Sequence, residues 1–191
     1  MQKKIDAKMK FIPIIVKLKN AKEVKIRSAE ISDAENLLKT IKNYIVDSEF
    51  IPKLFEEIKL TIQQEEDLIN SFIQKENSLL LVAEYDNEII GNIDITGSSR
   101  IIKQHTGVIG MGMLKEWRNS GLGTELMKHS INWAKENPML EILWLQIYCE
   151  NELGLSLYRK MNFIDNGIIK NYFKLNGKYY DNLTMSLSLK K

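Results

Sequence analysis

The sequence predicts one α/β domain of mixed α+β order: three layers, α-β-α, with a mixed central sheet of about seven strands and helices on both faces. Three observations predict it. Short runs alternate apolar with polar residues and are separated by turn dipeptides. Between them lie stretches whose apolar residues fall three and four apart. One strand–loop–helix–strand unit, around residues 107 to 149, requires a parallel pair in a sheet otherwise made of hairpins.

The elements justify this in order. Phe11 to Lys19, rich in Ile and Val, reads as a strand; Asn20 to Glu23 is a polar turn; Val24 to Ser28 alternates its faces and completes a hairpin. Ser32 or Asp33 caps a helix with Ala34, Leu37, Leu38, Ile41, Tyr44 and Ile45 on its apolar face, and Ser48 to Pro52 ends it. Thr61 opens a second helix, Gln64 completing a capping box, with Ile62, Leu68, Ile69 and Phe72 inward. Residues 52–60 read as a loop or a short helix. Ser78 to Tyr85 and Glu88 to Gly97 form a hairpin about Asp86-Asn87, and Gly107 to Leu114 is a further strand. Gly121 to Lys135 is a helix with Leu122, Leu126, Trp133 and Ala134 inward. Glu141 to Cys149 is a strand and Leu153 to Met161 a short helix. Phe163 to Phe173 and Tyr179 to Leu189 close the chain as a hairpin turning at Asn176-Gly177. One domain spans 1–191: an N-terminal extension, 1–22, carries an extra strand, and 24–189 form the core.

Composition narrows the function. An apolar fraction of 44% and a charged fraction of 27% are those of a globular chain, not a disordered or fibrous one. The densest apolar runs, Phe11 to Val16 and Leu79 to Ala83, are far short of a membrane span of ~20 residues. The 27 basic and 25 acidic residues leave +2, too little for a nucleic-acid footprint, and Lys3, Lys4, Lys8 and Lys10 read as a solvated tail. A single cysteine, Cys149, rules out an internal disulfide and reads as a small buried hydrophobe in a reducing compartment. No signal peptide is evident, so a cytoplasmic location is expected, with the chain a monomer or homodimer and no nucleic-acid or membrane partner. Two histidines, His105 and His129, lack a second ligand at useful spacing, so no metal is expected and His129 reads as a surface residue. Trp117, Trp133 and Trp144 read as core.

The informative segment is Glu116-Trp-Arg-Asn-Ser-Gly-Leu-Gly-Thr-Glu-Leu. It joins a strand to a helix and sets Gly121 and Gly123 at the helix start. Unpaired N–H groups and the helix dipole there suit an anion, glycines admit a phosphate to the backbone, and Arg118 adds charge. The lysine and spacing of a P-loop are missing, and Gly110-Met-Gly112 comes too early for a Rossmann fingerprint. A turn that simply needs Gly121 would leave the same trace.

Three segments in this order resemble the GNAT superfamily of acetyl-CoA-dependent N-acetyltransferases: Arg118-Asn-Ser-Gly-Leu-Gly, then Leu143-Trp-Leu-Gln-Ile-Tyr-Cys-Glu-Asn, then Leu157-Tyr-Arg-Lys-Met-Asn-Phe. Arg118, Gly121 and Gly123 match the family's [RQ]-x-x-G-x-[GA]. Asn151, Leu157, Tyr158 and Phe163 match its second signature, with Asn162 where a glycine is usual. The resemblance implies acetyl-CoA as acetyl donor. Its pyrophosphate would lie on the amides of Asn119, Ser120, Gly121, Leu122, Gly123 and Thr124, and its pantetheine arm along Met111, Gly112 and Met113, with Asn151 contacting that arm as well as capping its helix. Gly110 and Gly112 would mark an irregular strand there, or relieve crowding. Tyr158 would protonate the leaving thiolate, and an N–H near Met113 would hold the oxyanion. A glutamate found in the branch acting on ribosomal-protein N-termini is Gln146 here, so the base is left among Glu84, Glu150, Asp181 and water. The ending Gly177-Lys-Tyr-Tyr-Asp resembles members acting on small-molecule and some protein amines, which implies an amine acceptor bordered by Asp181 and by 31–60. A non-catalytic acetyl-CoA binder or sensor is the alternative, and a different nucleotide-binding module a third.

Overall fold

A computed structural model describes residues 9–190; Lys3, Lys4 and Lys8 of the basic cluster lie outside them. Among the described residues eight strands form one sheet: β1 (Ile14–Lys17), β2 (Glu23–Ser28), β3 (Leu79–Tyr85), β4 (Glu88–Gly97), β5 (Thr106–Met113), β6 (Ile142–Tyr148), β7 (Ile164–Leu175) and β8 (Lys178–Ser188). Their spatial order is β1-β2-β3-β4-β5-β6-β8-β7. All neighbours are antiparallel except β5 and β6, the parallel pair that the 107–149 unit requires. The seven core strands gain an eighth at the edge from the extension. That edge strand is shorter than the run Phe11 to Lys19, because Pro13 cannot donate to a ladder and Phe11 turns instead toward the next layer.

Among the described residues four helices cover the sheet: α1 (Ala34–Val46), α2 (Ile62–Gln74), α3 (Leu122–Glu136) and α4 (Glu152–Lys160). α1 and α2 bury Ala34, Leu37 and Ile69 against Leu80, Val82 and Ile89 on one face. α3 and α4 bury Leu122, Leu126, Met127 and Leu155 against Leu81, Ile93, Leu143 and Met185 on the other. Turn chemistry follows the sequence: Asp86 and Asn87, and Asn176 and Gly177, all take positive φ, as two-residue hairpin turns require. The Thr61–Gln64 capping box forms with both bonds.

Two local expectations change. Asp33 does not cap α1 with its side chain; a short 3-10 turn, Ile31–Asp33, leads in. Its carboxylate takes both arms of the Arg27 guanidinium at 2.6 and 2.8 Å. Burial pushes this carboxyl up, but Arg27 and the Glu30 N–H outweigh it and hold it below the ordinary range. His129 is not at the surface: it is half-buried on α3, edge-on to Phe11 at 6.3 Å, and burial lowers its pKa. Residues 52–60 contain only a 3-10 turn, Phe55–Glu57.

Candidate functional site

The site begins where two strands part. β5 and β6 pair only from Thr106 to Val108 and Ile142 to Trp144. Beyond that point β6 stays on β8 as far as Tyr148, while β5 stays on β4 as far as Met113. The Leu114 N–H donates to the Ile90 carbonyl at 3.0 Å. The antiparallel ladder alternates, so Gly112 and Gly110 turn their main chain to β4, while Met111 and Met113 present theirs to the opening.

The β5–α3 loop forms one end of the opening. Asn119 (φ 61°) and Gly121 (φ 96°) both adopt left-handed backbone, which turns successive N–H groups outward at the start of the 15-residue α3. Among the described residues, no hydrogen-bond partner takes the N–H of Asn119, Gly121, Gly123 or Thr124. Ser120 and Leu122 face the other way. The Ser120 hydroxyl donates to the Trp117 carbonyl at 2.6 Å and accepts the Leu122 N–H at 3.3 Å, and the Leu122 side chain is fully buried. One Arg118 nitrogen donates to the carbonyl of Asp47 at 2.9 Å, tying the loop to the end of α1. The extension reaches the same loop: the Lys19 N–H donates to the Ser120 carbonyl at 2.9 Å. The Lys19 side chain lies 3.6 to 3.9 Å from where a Gly121 Cβ would stand.

The opposite wall is α4. Asn151 caps it, its side-chain oxygen accepting the Gly154 N–H at 3.0 Å. Tyr158 packs near Phe163, ring centres 5.9 Å apart. Burial pushes its phenol up to about 12, so it carries its proton throughout the neutral range. Both residues line the cleft.

The cleft is about 1100 Å³ and continues past β5 to α1 and α2, where Leu37, Ile41, Tyr44, Ile45, residues 47–53, Glu65, Asn92 and Asp94 are among the residues that line it. Gly110 and Gly112 face this arm. A Cβ on Gly112 would clash with the Tyr44 ring, and one on Gly110 would lie 2.6 Å from an Asp94 oxygen. The β4–β5 register is unbroken across both, so these glycines relieve crowding and do not mark a bulge. The Tyr44 hydroxyl is 3.1 Å from Asn92 Oδ1. Asp94 accepts from the Thr96 hydroxyl at 2.9 Å, and burial pushes its carboxyl up to about 6.

Of the carboxylates expected near the chemistry, Glu84 stands apart, on β3 in ion pairs with Arg27 at 2.8 Å and Lys25 at 3.9 Å. Asp181 is likewise engaged: Lys170 at 2.6 Å and the Asn171 N–H at 2.9 Å hold its pKa low, and it does not line the cleft. Glu150 and the exposed Gln146 do line it. Sequence reasoning missed Lys19, Glu65 and Asp94. For Asp94 a signal existed: Asn92, Asp94 and Thr96 put three polar side chains on one face of a strand whose other face is Ile93 and Ile95. No cluster suited to a metal occurs among the described residues, and none of their helices is long and apolar enough to cross a membrane.

Strand divergence, glycine loop and α4 wall meet around one cleft of a mixed sheet. The Acetyltransferase (GNAT) family model matches residues 42–163, and the chain belongs to that family. It is 23% identical over 164 residues to an N-alpha-acetyltransferase of Sulfurisphaera tokodaii, covering 81% of this chain and 89% of that one. It is 27% identical over 101 residues to an L-amino acid N-acetyltransferase of Escherichia coli, where the match spans 53% of this chain and 62% of that enzyme. A GNAT-family acetyltransferase from Streptococcus pneumoniae superimposes with a TM-score of 0.84 at 27% identity, over 86% of this chain and 99% of that one. A Salmonella typhimurium structure solved with acetyl-CoA shares the fold at 15% identity, with a TM-score of 0.78 over 88% and 95%.

Proposed function

We propose that this protein transfers the acetyl group of acetyl-CoA to a primary amine by direct attack. The observation that carries the reading is the row of unpaired N–H groups at Asn119, Gly121, Gly123 and Thr124, set beside a strand edge that β6 has left free at Met111 and Met113. The loop takes the pyrophosphate: its N–H groups lie at the positive end of α3. The free edge of β5 takes the amides of the pantetheine arm as a further strand would, with Asn151 opposite. The Met113 N–H, facing the opening, holds the thioester oxygen as it becomes an oxyanion.

The neutral amine adds to the thioester carbon, and the carbon–nitrogen bond forms as the carbonyl becomes a tetrahedral oxyanion. The carbon–sulfur bond then breaks. Tyr158 delivers its phenol proton to the departing thiolate and recovers it from solvent. The amine loses its proton to Glu150, at the cleft rim, through water. Because burial keeps Tyr158 protonated, its role is that of an acid.

The test is thiol release from acetyl-CoA over an amine panel, beside calorimetry with CoA. Tyr158→Phe is expected to lower kcat by roughly 100-fold while the KM for acetyl-CoA stays within a factor of about two. Unchanged kcat would remove Tyr158 from the chemistry. CoA binding with no thiol release from any amine would favour the non-catalytic binder.

A further inference from the structure

The arm of the cleft beneath α1 and α2 is lined by two carboxylates, Glu65 and Asp94. Glu65 projects from α2 and is 1% exposed, and among the described residues its Oε2 has no hydrogen-bond partner. Asp94 projects from β4, and among the described residues its carboxylate accepts a single hydrogen bond, from the Thr96 hydroxyl. Neither joins an ion pair among the described residues, whereas the nearby carboxylates of Asp33, Glu84 and Glu88 all do. Both act on one ring: burial first, then the charges of Asp94 and Glu65, holds the Tyr44 phenol above its ordinary range. Lys53 on the rim is the cation that acts on Glu65. Leu37, Leu68 and Leu80 complete an apolar lining.

A buried carboxylate oxygen without a partner, such as Glu65 Oε2, is unfavourable, and a second carboxylate lining the same cavity makes it more so. Such a cavity is complementary to a ligand that brings positive charge on an apolar stem. We propose that Glu65 and Asp94 are the cation subsite of the acceptor pocket, and that the acceptor is an aliphatic diamine or polyamine. One ammonium sits between these carboxylates while the amine at its other end meets the thioester. This rests on the acetyl-transfer reading above. The spacing suits it: Asp94 is in register with Gly110, three residues from Met113, or about 10 Å along a strand. The same two carboxylates repel the carboxylate of a free amino acid, so α-amino acids are excluded as good acceptors.

Putrescine and n-butylamine share a four-carbon chain and differ by the second ammonium. The kcat/KM for putrescine or spermidine is expected to exceed that for n-butylamine by about tenfold or more. In Glu65→Gln and in Asp94→Asn, both near-isosteric, that ratio should fall toward one. Calorimetric affinity for acetyl-CoA confirms that each variant retains a folded cleft. Turnover of both amines at equal efficiency in the wild-type protein would overturn the subsite and leave acetyl transfer standing. So would a ratio that survives in both variants. Spermidine binding that disappears in Glu65→Gln, with no thiol released from any amine, would uphold the subsite and overturn acetyl transfer.

Discussion

The two arms of the cleft are built from different material. The arm at the β5–α3 loop is main chain: free N–H groups on a left-handed turn and an unpaired strand edge, contributed by residues 111–124. The arm beneath α1 and α2 is side chain: Tyr44, Glu65 and Asp94 come from three elements and meet only because the sheet and two helices pack. In the proposed reading the main-chain arm grips what every donor of one kind shares, its phosphates and amides, and the side-chain arm reads what sets one acceptor apart.

The largest expected effect breaks the main-chain arm. Gly121 has φ of 96°, a conformation a β-branched residue resists. Gly121→Val should weaken CoA binding by roughly tenfold or more, read by calorimetry, with spermidine affinity untouched. If CoA binds equally well, the loop is not the grip. A smaller effect sharpens the side-chain arm, and it appears in stability. Asp94 stands at about 6, above its ordinary 3.8, so folding takes up a proton in that window and the native state loses stability as pH rises through it. Asp94→Asn removes the buried charge. The variant should therefore be more stable than wild type at pH 8 by roughly 1 to 3 kcal/mol, with the gap closing toward pH 4 in urea titrations. A gap of the same size at both ends of this range would show that the carboxylate is not titrating there. The smallest effect lies where the extension meets the main-chain arm. Lys19→Gln should raise the KM for acetyl-CoA by a factor of roughly two to five at low salt and by nothing measurable in high salt. A salt-independent change would mean that Lys19 acts by packing on the loop.

The same contrast explains what could be read in advance. The loop Arg118 to Thr124 and the α4 stretch Asn151 to Tyr158 are contiguous, so both can be picked out by local spacing, and the structure sets both against the opening of the sheet. Gly110 and Gly112 show the limit. Their place in a strand fitted either an irregularity or relief of crowding, and what decides for crowding is an Asp94 carboxylate and a Tyr44 ring packed on the strand from outside its own sequence. Asp33 is similar: its position before a helix suits a cap, yet Arg27, arriving on a neighbouring strand, takes the carboxylate instead. Glu84 and Asp181 were plausible bases in sequence and are committed to ion pairs in space.

By itself the sequence determined the order of strands and helices, the hairpin turns, the α2 cap and the glycine loop, because each depends on residues within a few positions of one another. Tertiary structure alone decided three things: where β5 and β6 part, that Lys19 comes to rest on the loop, and that Glu65 and Asp94 share one cavity. Those depend on how far two strands stay paired and on which surfaces the core brings together, and burial, unlike spacing, is a property of the packed whole.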